Sequence, residues 1–115
     1  MASERMRRVD EAVRQVLGDA IAQNLKDPRV GFVTVTDVKT SPDLRHARVY
    51  VSVLGDPIAQ AGSLEGLESA RGYLQGHLAR ELRLKHTPEL RMVHDDTAQR
   101  AARLEAIIDT ELGRP

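Results

Sequence analysis

The sequence predicts an α+β fold, in which helices cover one face of a single three-stranded sheet. Two observations support this prediction. Residues 30–54 contain two stretches with the two-residue period of half-buried strands, separated by a turn. The residues before and after them repeat apolar side chains every three or four positions, as amphipathic helices do. The predicted order is helix, strand, strand, broken helix, strand and a terminal helix.

The first helix is predicted over residues 3–25. Ser3 is a suitable N-cap, and Asp27-Pro28 should stop the helix because proline disfavours helical geometry in the residue before it. The apolar positions with helical spacing are Met6, Val9, Val13, Val16, Leu17, Ala20 and Ile21.

The second strand of the hairpin shows two chemically different faces. Uncharged Ala47, Val49, Val51 and Val53 alternate with His46, Arg48, Tyr50 and Ser52. The first strand is predicted over residues 30–38, which are rich in β-branched side chains. In the turn over residues 40–44, Pro42 presets the backbone and Asp43 can close it. We expect the apolar face to pack under the helices and the polar face to stay free.

The next helical pattern is interrupted. Ser63 can cap a short helix that contains Leu64 and Leu67, and a second piece follows from Tyr73 with Leu74, Leu78 and Leu82. Between the two pieces lies Ala70-Arg71-Gly72. Because glycine weakens a helix by about 1 kcal/mol relative to alanine, a kink is expected at Gly72. Thr87-Pro88 should end the second piece.

The last third of the chain predicts one strand and one helix. Leu90, Met92 and His94 alternate with polar or smaller neighbours, and Asp96 or Thr97 can cap the final helix. We therefore expect residues 1–115 to form a single domain, with a core over about 5–96 and a helix over about 97–112. The apolar positions of that helix are Ala101, Leu104, Ile107, Ile108 and Leu112.

Composition indicates a soluble cytoplasmic protein. The 115 residues include no cysteine, which fits a reducing compartment, and no apolar run reaches the ~18 residues of a membrane helix. Net charge is zero, but residues 70–91 hold five basic against two acidic side chains, whereas residues 92–115 hold three against five. Because screening acts over only ~8 Å at physiological ionic strength, a neutral chain can still present a positive face.

Few aromatic side chains are available for base stacking. Phe32, Tyr50 and Tyr73 are the only ones, and Tyr50 alone lies on the outer face of the hairpin. Proteins that read single-stranded RNA on a sheet present two or three rings. If this chain binds nucleic acid, we expect it to contact phosphates rather than bases.

Catalysis is not predicted. His94-Asp95-Asp96 places three polar side chains together, but a metal site needs three or four convergent ligands, and no second cluster is evident. Both aspartates have a sufficient role as helix caps, while His46 and His77 are isolated. There is no nucleophile-elbow motif and no phosphate-binding glycine loop. We expect a non-enzymatic protein without metal, cofactor or small-molecule substrate.

The first six elements resemble a type II KH domain in their order. The Gly-x-x-Gly loop of RNA-binding KH domains does not occur here, and Ala70-Arg71-Gly72 resembles the Ala-x-Gly kink of the ribosome-binding factor A family instead. This resemblance covers about residues 5–96 and is carried by four segments in the same order as in the family. They are residues 5–9, the hairpin sequence (residues 27–30, 40–44 and 49–53), the kink, and residues 82–90.

This resemblance implies a ribosome assembly factor that binds the free 30S subunit and 16S rRNA. It further implies help with late subunit maturation and 16S rRNA processing, and a role in cold adaptation. Separately, because the sequence shows no large apolar seam and no membrane-length apolar run, we expect a monomer when free and no membrane contact. A module that contacts ribosomal proteins rather than RNA is the alternative. The candidate RNA-binding residues are Arg5, Arg7, Arg8, Arg14, Arg45, Arg48, Arg71, Arg80, Arg83, Lys85 and His86, and the helix kink is assigned to Ala70 and Gly72.

Each candidate cation also has a purely structural interpretation. Cations near the end of the helix before the third strand favour its dipole by ~0.3–1 kcal/mol each. Arg7 can pair with Glu11 four residues later and simply keep the outer surface of the first helix soluble. Arg45 and Arg48 can be ordinary outer-face charges.

Overall fold

The computed structural model describes residues 3–111, except for the side chains of residues 98–99, 102–103 and 109–111. The predicted order of elements is confirmed. The elements are α1 (Glu4–Gln23), β1 (Val33–Thr40), β2 (His46–Val53), α2 (Pro57–Ser69), α3 (Arg71–Leu82), β3 (Glu89–His94) and α4 (Thr97–Glu111).

The three strands form one sheet in the order β1-β2-β3. β1 and β2 run antiparallel, and β2 and β3 run parallel. α1 packs on β1 and α3, while α2 and α3 pack on β3, so the predicted α+β fold with helices on one face is confirmed. The fully buried side chains of the resulting core include Val13, Leu17, Val49, Val51, Leu67, Leu74, Leu78 and Leu90.

A β-bulge at Thr36 reverses which residues of β1 face the core, so that even-numbered rather than odd-numbered residues point inward after it. Val35 pairs with Val51, and the next paired residue is Asp37, opposite Tyr50. The extra residue lets both Val35 and Val38 reach the core although their spacing is odd. It also turns the odd-numbered residues after the bulge, including Lys39, to the outer face of the sheet.

α1 follows its prediction closely. The Ser3 side chain accepts a hydrogen bond from the Met6 N–H at 3.1 Å, so Ser3 is the N-cap. The helix ends at Gln23, two residues before the expected end and ahead of Asp27-Pro28. Asp10 links α1 to the sheet, because its carboxylate accepts a hydrogen bond from the Thr40 N–H at 3.0 Å.

The prediction that Ser63 caps a short helix is wrong. α2 begins at Pro57, and Asp56 is its N-cap, accepting a hydrogen bond from the Ala59 N–H at 2.8 Å. Asp-Pro is a strong start signal because proline at the first helical position has no N–H to leave unpaired. Ser63 instead lies inside α2, where it is only 1% exposed.

β1 begins at Val33, three residues later than predicted, because the preceding segment packs against α2 instead of pairing with β2. Ser63 Oγ accepts a hydrogen bond from the Gly31 N–H, and Val30 N donates to Asp27 O at 3.0 Å. In the turn after β1, Leu44 takes the left-handed conformation, with φ of 61°.

Asp96, one of the two predicted caps, directly precedes α4, and its C=O accepts the first helical hydrogen bond, from the Arg100 N–H at 2.9 Å. Asp95, one residue earlier, also holds the start of the helix. The Asp95 carboxylate accepts hydrogen bonds from the Thr97 hydroxyl, from the Thr97 N–H at 3.1 Å and from the Thr36 hydroxyl at 2.9 Å. These bonds, that of the Thr97 hydroxyl foremost, hold the pKa of Asp95 below the usual range. The predicted apolar face of α4 is uncovered: Leu104 and Ile107 are each 59% exposed. Leu112 lies outside the described residues. None of the described helices is both long and apolar enough to cross a membrane.

Candidate nucleic-acid interface

The break between α2 and α3 occurs at Ala70. This residue caps the end of α2 and the start of α3, with φ of −86° and ψ of −1°. Its N–H bonds to Gly66 O and Leu67 O, and its C=O accepts from Leu74 N at 2.9 Å. The predicted kink is confirmed in place, but Gly72 does not make it. Gly72 lies in the first turn of α3 with ordinary helical geometry and an exposed surface.

A surface groove of about 650 Å³ opens beside this break. It brings together three candidate residues that are far apart in sequence, namely Arg45, Arg71 and His86. We call it the kink groove; its lining is Arg45, Glu68, Arg71, Gly72, Gln75, His86, Thr87 and Glu89.

Two hydrogen bonds to the start of β3 hold the walls of the kink groove in place. Arg45 O accepts from Glu89 N at 2.8 Å, which joins the hairpin turn to the start of β3. Gln75 Oε1 accepts from Leu90 N at 3.0 Å, which joins α3 to the same strand. The groove is therefore part of the folded scaffold, with a main-chain bond on the hairpin side and a bond to the Gln75 side chain on the α3 side.

The turn before Arg45 sets the position of that residue. Asp43 Oδ1 accepts hydrogen bonds from the Ser41 hydroxyl at 2.6 Å and from the Arg45 N–H at 3.1 Å. These bonds, the Ser41 bond foremost, hold the pKa of Asp43 below its usual range. The carboxylate thus stays ionised and keeps the turn closed beside the groove.

The remaining candidates near α3 surround its carboxyl end. Arg80 lies in the last turn, and Arg83 ends the helix in a left-handed conformation, with φ of 49° and ψ of 41°. Lys85 and His86 follow in the loop to β3. Arg80, Arg83 and Lys85 are exposed and form no ion pair with any side chain in the described part of the chain.

The charges in the kink groove are mixed. Arg71 pairs with Glu68 at 3.1 Å, and Glu89 lies 3.9 Å from His46. Arg45 has no such partner among the described side chains. Because both pairs are largely exposed, each contributes little to stability and can exchange its carboxylate for a phosphate at low cost.

The α1 candidates lie elsewhere, and most are paired locally. Arg7 and Arg8 pair with Glu4 at 3.0 and 3.7 Å, and Arg14 pairs with Glu11. The expected Arg7–Glu11 pair is wrong, because Arg14 holds Glu11 and lowers its pKa. The structure places Arg7 and Arg14 beside β1 rather than in the kink groove. Arg5 is exposed.

Comparison with known proteins identifies the family. The family model described as ribosome-binding factor A matches residues 5–108 of this chain. The chain belongs to the ribosome-binding factor A family. The resemblance carried by the kink and its flanking segments is therefore confirmed.

Relatives within this family support the assignment over most of the chain. A ribosome-binding factor A from an Anaeromyxobacter species is 48% identical over 102 residues, covering 88% of this chain and 84% of that protein. The crystal structure of ribosome-binding factor A from Thermus thermophilus is 29% identical, with a TM-score of 0.69 over 77% of this chain and 94% of that one.

One structural relative was placed on a ribosomal particle. It is a homology model of Thermus thermophilus ribosome-binding factor A fitted into the cryo-EM map of a 30S complex. It is 30% identical to this chain, with a TM-score of 0.65, and the match covers 76% of this chain and 92% of that one.

The structure also reveals exposed cations that the candidate set omitted. On the outer face of the sheet, Lys39 of β1 lies opposite Arg48 of β2, and Arg48 lies opposite Arg91 of β3. We call these three residues the cation row. Of them, only Arg48 was a candidate. The alternation in β3 could have revealed Arg91, whereas Lys39 depends on the bulge at Thr36.

The acidic cluster considered for catalysis has structural partners. Asp95 bonds to Thr36 and Thr97, and Asp96 pairs with Arg100 at 2.8 Å. Within the described residues, no group of three histidine, aspartate or glutamate side chains is arranged to hold a metal ion.

Proposed function

We propose that this protein binds the free 30S ribosomal subunit and contacts its 16S rRNA through phosphates. In this proposal it acts as a monomer in the cytoplasm and assists late maturation and 16S rRNA processing, with a role in cold adaptation. It performs no catalysis and needs no cofactor. The observation that carries the proposal is family membership over residues 5–108, together with a relative placed in a 30S complex.

The kink groove supports a phosphate contact. Arg45, Arg71 and His86 converge there from three separate segments, and Arg80, Arg83 and Lys85 surround the end of α3 nearby in the chain. Exposed cations without internal partners do little for stability. Arginine forks bind phosphate in a bidentate manner, so these side chains suit an RNA backbone.

The test is the salt dependence of binding to purified 30S subunits. If about four phosphates are neutralised, the logarithm of the association constant falls with the logarithm of salt concentration at a slope of roughly −3 to −4. Binding that ignores salt between low and physiological ionic strength would reject the phosphate mechanism.

A second candidate function is docking on a ribosomal protein. Phe32 is 80% exposed, Leu54 is 69% exposed, and the Leu54 N–H bonds to Phe32 O at 3.0 Å. Ile58, 85% exposed, follows in the first turn of α2. Large apolar side chains that are exposed together mark protein interaction sites. Photo-cross-linking from positions 45 and 86 separates the two candidates, because the proposed function requires rRNA adducts there.

A further inference from the structure

The cation row is an unusual feature of the outer sheet face. Lys39 lies opposite Arg48, and Arg48 lies opposite Arg91. Neighbouring strands are about 4.8 Å apart, so three positive charges cross the sheet within roughly 10 Å. All three residues are exposed.

This row has an electrostatic cost for the fold. Like charges directly opposite one another on neighbouring strands are destabilising. Lys39 has a loose internal counter-charge, Asp37 at 3.7 Å. Arg48 and Arg91 have no ion-pair partner among the side chains that the structure describes. The fold therefore concentrates charge here without neutralising it, which is the expected arrangement where an external anion binds.

The bulge at Thr36 completes the row. Without the extra residue, Lys39 would share the parity of Val33 and Val35 and face the helices. Bulges often re-aim a side chain at a binding site. Here the bulge buries Val38 and places Lys39 on the outer face, directly opposite Arg48.

The row is continuous with the kink groove. A second surface groove is lined by all three row residues and also by Arg71, Glu68 and Glu89, which line the kink groove. A chain of phosphates in the kink groove can therefore continue past the edge of β3 onto the outer face. An acidic peptide would need a matching run of carboxylates along the same path, whereas every RNA strand carries phosphates along its whole length.

We propose that the cation row binds the phosphodiester backbone of the rRNA and extends the interface from the kink groove onto the outer sheet face. This inference rests on the proposed function. Because Tyr50 is the one Phe, Tyr or Trp side chain of β2, the face contacts backbone rather than a series of stacked bases.

The test compares Arg48→Gln/Arg91→Gln with the unmodified protein on purified 30S subunits over a range of KCl concentrations. Losing two phosphate contacts should make the salt slope shallower by about 1.4–1.8, because each phosphate contributes roughly 0.7–0.9. Affinity at physiological salt should fall by at least about tenfold. Lys26→Gln removes an exposed charge from the segment between α1 and β1 and should leave both quantities unchanged.

Thermal unfolding gives an independent readout. Arg48→Gln relieves the repulsion within the row, so its unfolding temperature should be unchanged or higher. A lower unfolding temperature would show that Arg48 stabilises the fold and would overturn the electrostatic argument.

Failure of this inference is distinguishable from failure of the proposed function. If the unmodified protein binds 30S subunits with a steep salt slope and the double variant behaves like Lys26→Gln, the cation row does not contact phosphate. If photo-cross-linking from position 48 yields only ribosomal-protein adducts, the row binds protein and the inference is wrong. If the unmodified protein does not bind at all, the proposed function itself fails.

Discussion

The Ser63 hydroxyl accepts a hydrogen bond of 3.0 Å from the Gly31 N–H, joining α2 to the segment ahead of β1 across 32 positions of sequence. The same hydroxyl donates to Arg29 O at 3.3 Å. One buried side chain thus satisfies a backbone donor and a backbone acceptor of a segment that forms no strand. These two hydrogen bonds, which we call the Ser63 clasp, explain why β1 starts at Val33. They also anchor the hairpin to α2, the helix that leads to the kink.

Ser63→Ala should destabilise the protein by about 1–3 kcal/mol, because it leaves two backbone groups without their partner. Urea denaturation followed by circular dichroism measures the change. Ser69→Ala, on the same helix, removes only an exposed hydrogen bond from the Arg29 side chain at 3.1 Å and should cost less than about 1 kcal/mol. Equal losses for the two variants would contradict the role of the Ser63 clasp.

Gly66→Ala should also be destabilising, by about 1–3 kcal/mol. A Cβ at this position would lie 2.6 Å from Val30 Cγ2, and the stiff valine side chain has little room to move. Gly18 offers a matched control in α1, since nothing lies within 4 Å of its added Cβ. Gly18→Ala should stabilise the protein by up to about 1 kcal/mol, as helix propensity dictates. The two variants should therefore shift the urea midpoint in opposite directions, and a shared direction would refute the packing argument.

Asp27 should make the free energy of unfolding depend on pH in the acid range. Hydrogen bonds from the Arg29 side chain and N–H lower the pKa of Asp27 to about 2, below its ordinary value of about 3.9. A lowered folded-state pKa means that the stabilisation is complete above pH ~4 and is lost as pH falls toward 2. Urea midpoints measured from pH 5 to pH 2 should therefore fall for the unmodified protein more steeply than for Asp27→Asn. Parallel curves would show that the contact with Arg29 does not persist in solution.

Arg80→Glu with Lys85→Glu should weaken 30S binding while leaving unfolding nearly unchanged. Both side chains are exposed, so the cost to stability should stay below about 1 kcal/mol, including the unfavourable placement of a carboxylate at position 80, near the negative end of a helix dipole. Binding is measured by mixing labelled protein with purified subunits and counting the label retained on a membrane that holds back 30S subunits and passes the free protein. Lys26→Glu controls for a reversed charge away from the interface and should bind normally. A large loss of stability in the double variant would mean that these positions are not surface sites.

Periodicity alone predicted most of the fold. The burial of Val49, Val51 and Val53 followed from alternation in β2, and that of Val13 and Leu17 followed from helical spacing. What periodicity missed were tertiary contacts: Ser63 is a polar residue whose buried partners lie 32 and 34 positions away. The helix break is at Ala70 rather than at Gly72, because the backbone angles of one shared cap residue divide the helices.

The candidate site was predictable only in part. Charge density along residues 70–91 pointed to Arg71, Arg80 and Lys85, but convergence with Arg45 required the pairing of β2 and β3. The cation row required the strand register as well, because Lys39 and Arg91 are 52 positions apart in a sequence that carries no mark of their alignment.

Sedimentation of a cell lysate through a sucrose gradient, with immunodetection of this protein, tests the central claim most directly. A factor that acts on the immature small subunit should co-migrate with free 30S particles and be absent from polysomes. The same gradient at raised salt should release it to the top, since phosphate contacts weaken with ionic strength. An even distribution across 30S particles, 70S ribosomes and polysomes would contradict the assembly role.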